Sequence, residues 1–198
     1  MNQKHYLLEN IISEDRCTFF EKSFFDYLNN NGKITESKET VKNMFGEALG
    51  ICDVISKLKL HNFFIPILKD LKDNIKYYYN EQAHFSHSFA RIYYNNSILP
   101  IHIDDPKFDV TFSINIGGLD NWAFYVSNIE LQQYSNLKTR DEQMNVFSKD
   151  CDSFFIKRGS AVLTHGRKYP HWRNQLQCSE GDYMLQLFLH FTLDDMSA

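Results

Sequence analysis

Apolar residues recur along this chain at two different periods, and the change from one to the other divides it. Ser13 sits where an N-cap belongs, with Arg16 at the position where a capping box would want Glu. Phe19, Phe20, Phe24, Tyr27 and Leu28 follow at helical spacing. A helix is predicted there, ending at Asn29-Asn30-Asn31-Gly32. Residues 33–40 are polar and read as a loop, and Val41 to Leu49 shows no decisive period. Phe64, Ile67, Leu68, Leu71, Ile75, Tyr78 and Tyr79 then fall on one face of a second helix, with Pro66 in its first turn. Residues 1–82 are thus expected to form a helical support that covers one face of a sheet.

Beyond Ala83 the period shortens to two. Phe85 to Tyr94 reads as a strand closed by Asn95-Asn96-Ser97, the segment around His102 follows, and Asp105-Pro106-Lys107 turns the chain. Asp109 to Ile116 alternates strictly, with Val110, Phe112, Ile114 and Ile116 on one side and Thr111, Ser113 and Asn115 on the other. That polar stripe either faces solvent or lines a wet pocket. Gly117-Gly118-Leu119-Asp120-Asn121 is a turn, and Trp122 to Val126, Phe154 to Lys157, Ser160 to Thr164 and Tyr183 to Phe191 are further strands. Residues 129–150 are polar and charged without a strand period, and read as a partly helical insertion over the pocket mouth. Short strands after helices imply a β-sandwich or jelly roll.

Composition narrows this picture. A length of 198 residues suits one domain, and the 15% aromatic content predicts a core or pocket built largely from rings. The net charge of −4 is spread without a basic block, which argues against a nucleic-acid partner. Cys17, Cys52, Cys151 and Cys178 form no CxxC pair, so reduced thiols are expected. No apolar run is long enough for a signal peptide or a bilayer span, and the cytoplasm is the expected location.

The candidate chemistry lies in Leu99-Pro100-Ile101-His102-Ile103-Asp104-Asp105 and, some seventy residues on, Tyr169-Pro170-His171-Trp172-Arg173. In a strand, residues i and i+2 share a face, so His102 and Asp104 can reach one ion while Ile101 and Ile103 pack behind. Two His and one carboxylate on one face of an octahedron leave the other face free, as in non-haem Fe(II) oxygenases. His5, His61, His84 and His87 have no partner pattern. His165 and His190 lie inside or at the end of strands. His171, in an extended segment after Pro170, is preferred over His165 as the third ligand.

These residues resemble the Fe(II)- and 2-oxoglutarate-dependent dioxygenases, in their prolyl-4-hydroxylase-like branch. The resemblance rests on Ile92-Tyr93-Tyr94-Asn95-Asn96, His102-Ile103-Asp104, Val110-Thr111-Phe112-Ser113, Gly159-Ser160-Ala161-Val162-Leu163 and Pro170-His171, in that order, from about residue 85 to 192. It implies a mainly β fold: a double-stranded β-helix (jelly-roll) core over 83–192 with N-terminal α-helices packed on its major sheet. It also implies Fe(II), 2-oxoglutarate and O2, and hydroxylation of an unactivated C–H of a small molecule, amino acid or peptidyl residue. The ligand Asp104 favours hydroxylation, because halogenating relatives lack that carboxylate. The family places a cation two residues past the Gly of the last strand, where this chain has Tyr183 after Gly181, a phenol expected to donate one hydrogen bond to the co-substrate but to supply no charge. Arg173, two residues past His171, is the expected replacement, ahead of Arg91 and Lys157, and Tyr93 and Asn115 are expected beside the co-substrate. Two other readings of the same residues are a cupin-like metal enzyme that uses no 2-oxoglutarate, and a non-catalytic β-helix that binds a metabolite.

Overall fold

The computed structural model describes residues 4–30, 48–134, 137 and 139–194. The loop expected at 33–40, the end of the first helix at Asn31-Gly32 and most of Val41 to Leu49 lie outside the described residues. Helix α1 (Glu14–Asn30) starts at Ser13, whose carbonyl accepts the Cys17 N–H at 2.9 Å. It buries Cys17, Phe20 and Phe24. Phe19, expected on that face, is half exposed and touches Phe63, because one residue before Phe20 is a rotation of about 100° around the helix.

After strand β1 (Tyr6–Leu8), α1, strand β2 (Ala48–Cys52) and the short helix α2 (Val54–Lys57), the long helix α3 (His61–Tyr79) buries Phe64, Ile67, Leu71 and Ile75. It begins three residues before Phe64, so Pro66 lies one turn inside it rather than in the first turn, and the carbonyl of Asn62 loses its helical donor.

The remaining strands are β3 (Ala83–Tyr93), β4 (Leu99–His102), β5 (Val110–Gly118), β6 (Phe124–Ser127), β7 (Cys151–Phe154), β8 (Ala161–Thr164), β9 (His171–Arg173) and β10 (Met184–Leu193). The strand expected at Phe154 to Lys157 ends at Phe154 instead, fixed by pairing of Phe124 with Phe154 and Ser127 with Cys151. Two antiparallel sheets result. A major sheet has the order β1-β8-β5-β10-β3-β2 and a minor sheet the order β4-β9-β6-β7, which is a jelly-roll arrangement.

The two faces of the major sheet differ. Phe112, Ile114, Ile116, Leu185, Leu187, Leu189 and Phe191 join Phe20, Phe24, Phe64, Ile67 and Leu71 of the helices in the main apolar core. The opposite face of β5 carries Thr111, Ser113 and Asn115, all buried. The polar stripe therefore points between the sheets and not to solvent. The insertion contains a 3₁₀ turn (Leu131–Tyr134) and helix α4 (Arg140–Phe147), opened by a capping box between Thr139 and Glu142. It was expected over the pocket mouth. Instead its Phe147 packs with Ile101 and Trp172, whose strand neighbours His102, His171 and Arg173 point the other way, so the described part backs the outer face of the minor sheet. No described helix is long and apolar enough to cross a membrane.

Candidate metal centre

His102 ends β4 and is the Cα partner of His171 at the start of β9. Antiparallel pairing thus brings together two histidines that lie far apart in the sequence, with ring centroids 4.3 Å apart. Asp104 lies just past the strand, and loop contacts rather than strand alternation hold it. Its N–H donates to the Gly166 carbonyl at 3.0 Å. A Cβ at Gly166 would lie 1.8 Å from Asp104 Oδ2, so the carboxylate occupies space that only a glycine leaves. His102, Asp104 and His171 offer one ligand atom each, all within 4.8 Å of one another.

The donor set fits a divalent metal, on the following chemistry. His102 Nδ1 lies 2.8 Å from the Pro100 carbonyl and His171 Nδ1 lies 3.1 Å from the Tyr169 carbonyl. A carbonyl can only accept, so each Nδ1 carries a proton and each Nε2 is free to ligate. His171 Nε2 lies 3.5 Å from Asp104 Oδ1. A bare nitrogen lone pair and a carboxylate oxygen held that close need a proton or a cation between them. Burial would raise the pKa of Asp104, but His171, His190 and His102 hold it well below the usual carboxylate range. Burial opposes protonation of His171, and the neighbouring Asp104 overrides it and raises the pKa. His102 stands at the open, solvent-exposed side of the group, and the surrounding protein together with the neighbouring His171 lowers its pKa from the ordinary value.

Asp104 is also gripped from behind. Thr111 Oγ donates to Asp104 Oδ2 at 2.5 Å and lies 2.9 Å from His190 Nδ1. The hydroxyl has one proton, which goes to the carboxylate, so His190 donates through Nδ1. The His190 ring stacks on Phe108 at 4.4 Å, and burial keeps it neutral by lowering its pKa to about 4. The sequence reading missed this role for His190. Its signal was the alternation of β10, where Gln186 and His190 interrupt the apolar series Leu185, Leu187, Leu189 and Phe191 on the other face. His165, the competing ligand, lies against the Tyr79 ring at 4.1 Å, outside the metal group.

Arg173 shares the inward face of β9 with His171 and is fully buried. Its guanidinium lies over Trp122 at 4.8 Å and Phe124 at 5.1 Å. Nη1 donates to the Trp122 carbonyl, but Nε and Nη2 have no partner among the described residues. Burial lowers its pKa to about 9, which still leaves it charged at neutral pH. The Tyr93 hydroxyl is equally buried and unpartnered, with its ring 5.0 Å from Trp122. Asn115 donates through Nδ2 to the Leu119 and Ile156 carbonyls, which leaves only its Oδ1 unpartnered. Tyr183 stands apart from this group. It donates to Glu21 of α1 at 2.8 Å and packs on Phe25, and burial together with Glu21 raises its pKa to about 12. The structure therefore brings together five of the expected residues, His102, Asp104, His171, Arg173 and Tyr93. Asn115 borders the same interior, and Tyr183 faces the helices.

No protein-family model and no curated protein matches the chain. Solved structures do. A non-heme alpha-ketoglutarate-dependent carbocyclase, SnoK from nogalamycin biosynthesis, superposes with a TM-score of 0.72 at 12% identity, over 96% of this chain and 80% of that one. A Pseudomonas putida prolyl-4-hydroxylase gives a TM-score of 0.60 at 10% identity, over 95% and 91%. HygX from Streptomyces hygroscopicus, with nickel and 2-oxoglutarate bound, gives 0.56 at 12% identity, over 96% and 83%. The chain therefore has the fold of the Fe(II)- and 2-oxoglutarate-dependent oxygenases.

Proposed function

We propose that the protein is an Fe(II)- and 2-oxoglutarate-dependent oxygenase that hydroxylates an unactivated C–H bond of a small molecule, amino acid or peptidyl residue. One observation carries this reading: a buried arginine with two unpaired donors stands two residues from the metal ligand His171, on the same face of the same strand. An unpaired buried guanidinium is costly in an empty protein and is relieved by a carboxylate that accepts both free donors. The far carboxylate of 2-oxoglutarate, a co-substrate that chelates a metal through its other end, supplies such a partner at this distance along the strand. In this reading His102, Asp104 and His171 hold the iron, and Arg173 with the Tyr93 hydroxyl receives the far carboxylate of 2-oxoglutarate. The chemistry that Fe(II) supplies when bound is the coupling of O2 reduction and oxidative decarboxylation of 2-oxoglutarate to the oxidation of a C–H bond.

The chain's own residues do the positioning. Pro100 and Tyr169 carbonyls orient the two imidazoles, Thr111 with His190 orients Asp104, and Trp122 and Phe124 exclude water from the guanidinium. We place the protein in the cytoplasm, a reading that the four free cysteines support. The test is anaerobic titration of Fe(II) and then 2-oxoglutarate, followed by succinate assay on admission of O2. A visible charge-transfer band and succinate formation, both lost in Arg173→Met, are expected. A band that survives in Arg173→Met sinks the assignment of Arg173, and a wild type with neither band nor succinate sinks the whole reading.

A further inference from the structure

A second guanidinium lies on the inner wall of the barrel, and the co-substrate has no carboxylate left for it. Along β3, Ala90 and Ile92 face the helical core, so Phe89, Arg91 and Tyr93 face the interior. Arg91 makes no hydrogen bond or ion pair with any described residue. Its guanidinium is braced only by rings, 5.0 Å from Phe89 and 5.8 Å from Tyr93. Tyr93 stands between the two arginines in a chain of contacts that runs Arg91, Tyr93, Trp122, Arg173.

The neighbour of Arg91 across the sheet is Gln186, its Cα partner on β10. Gln186 is fully buried, and both atoms of its amide are unpartnered, so the observation survives either orientation of the amide. On its other side Gln186 pairs with Asn115, whose Oδ1 is also unpartnered. One row across β3, β10 and β5 therefore offers a guanidinium, an amide N–H and two buried acceptor oxygens. 2-Oxoglutarate carries acceptors only, so it can satisfy donors but neither of those oxygens. A ligand on this row carries an anionic group and at least one N–H or O–H donor.

We propose that the prime substrate is a free α-amino acid, whose carboxylate is held by Arg91 and whose amino group is held by the amide row of Gln186 and Asn115. This rests on the oxygenase reading above and names the substrate class for the same site. Arg91 then divides the work with Arg173: the buried arginine takes the co-substrate and the half-buried one, nearer the outside, takes the molecule that is exchanged each turnover.

The experiment uses the anaerobic Fe(II) protein loaded with 2-oxoglutarate. Each of the common L-amino acids is added in turn, alongside its carboxamide, which keeps the amine and lacks the anion. At least one free acid is expected to shift the charge-transfer band and to speed succinate formation on admission of O2. Its amide should bind about 100-fold more weakly, since a guanidinium loses its charged partner. In Arg91→Gln the band with 2-oxoglutarate should remain while the response to that acid falls by about the same factor, and Arg91→Lys should recover part of it. Three results overturn the proposal: loss of the 2-oxoglutarate band in Arg91→Gln, which makes Arg91 a co-substrate anchor; equal responses to an acid and its amide; or no response to any amino acid in a wild type that shows the band. A wild type without the band overturns the oxygenase reading and this inference with it.

Discussion

The two faces of β5 and β10 are built from the same strands and have opposite characters. Outward, Phe112, Ile114, Leu187 and Leu189 are buried in one apolar core with Phe20 and Phe24 of α1 and Phe64, Ile67 and Leu71 of α3. Inward, Thr111, Ser113, Asn115, Gln186 and His190 are buried as well, yet Gln186 and Asn115 keep polar atoms with no partner. Burial of matched apolar surface stabilises a fold, whereas a buried polar group without a partner costs about 1–3 kcal/mol. The outer face thus holds the protein together, and the inner face keeps binding capacity at the expense of stability. The same contrast divides the minor sheet, where Ile101 and Trp172 pack outward on the insertion while His102, His171 and Arg173 turn inward.

Substitutions that exchange the two characters are the way to break this comparison. The largest effect is expected at the metal. His171→Ala should lower Fe(II) affinity by several orders of magnitude in equilibrium dialysis, and unfolding should not be destabilised to match, because the substitution also removes a buried pair that needs a cation. Loss of fold instead of loss of metal would make the triad structural. Arg173→Met should abolish 2-oxoglutarate binding in calorimetry while the metal-free protein melts at the same or a higher temperature, since a desolvated charge is replaced by an isostere. A lower melting point would mean that the guanidinium is a structural strut.

The outer face should respond in the opposite sense. Leu187→Ala is expected to destabilise by about 2–5 kcal/mol in urea unfolding, through the cavity it leaves, with Fe(II) affinity unchanged in the folded fraction. The inward neighbour provides the sharper contrast: Gln186→Leu should leave stability equal or raised. Next in size, Thr111→Val removes the hydroxyl that holds Asp104 and should weaken Fe(II) binding by about 10–100-fold. If metal affinity is unmoved, the Thr111–His190 contact has no positioning role.

The smallest and most general effect concerns pH. His5 and His165 are buried outside the group formed by His102, Asp104 and His171, and burial lowers both pKa values to about 4 from an ordinary 6.5. Between those values the unfolded chain takes up protons that the folded one refuses. Their contribution to stability is therefore complete above about pH 6.5 and lost progressively as pH falls towards 4. In His5→Gln, chemical denaturation across that window should show a shallower loss of stability than in the wild type. An equal slope would remove His5 from the account.

Much of this organisation is legible in the sequence. The switch from a helical period to alternation near Ala83 separates α1 and α3 from the β core, and the series Phe20, Phe24 and Phe64, Ile67, Leu71 predicts which faces are buried. Alternation in β5 separates its two faces, but periodicity says only that two faces differ and not which is covered by what. Strands β1 and β2 were not legible, because three residues such as Tyr6-Leu7-Leu8 are too few to display a period and their pairing depends on distant partners. Pro66 misplaced the start of α3, since a single proline is tolerated inside a helix whose apolar face is well packed.

At the site the division is similar. The sequence by itself determined the chemical types: a His-x-Asp pair, a later histidine after Pro170 and an arginine two residues on, all of which follow from local spacing. Only the tertiary structure shows that His171, and not His165, lies beside His102 and Asp104, because that depends on the pairing of His102 with His171 across β4 and β9. Only it revealed that Gly166 and Thr111 seat Asp104, that Tyr183 turns to Glu21, and that Arg91 and Gln186 stand side by side. Periodicity is a property of neighbours along the chain, whereas register, burial and unpaired polar atoms are properties of neighbours in space, and a ligand site is made of the second kind.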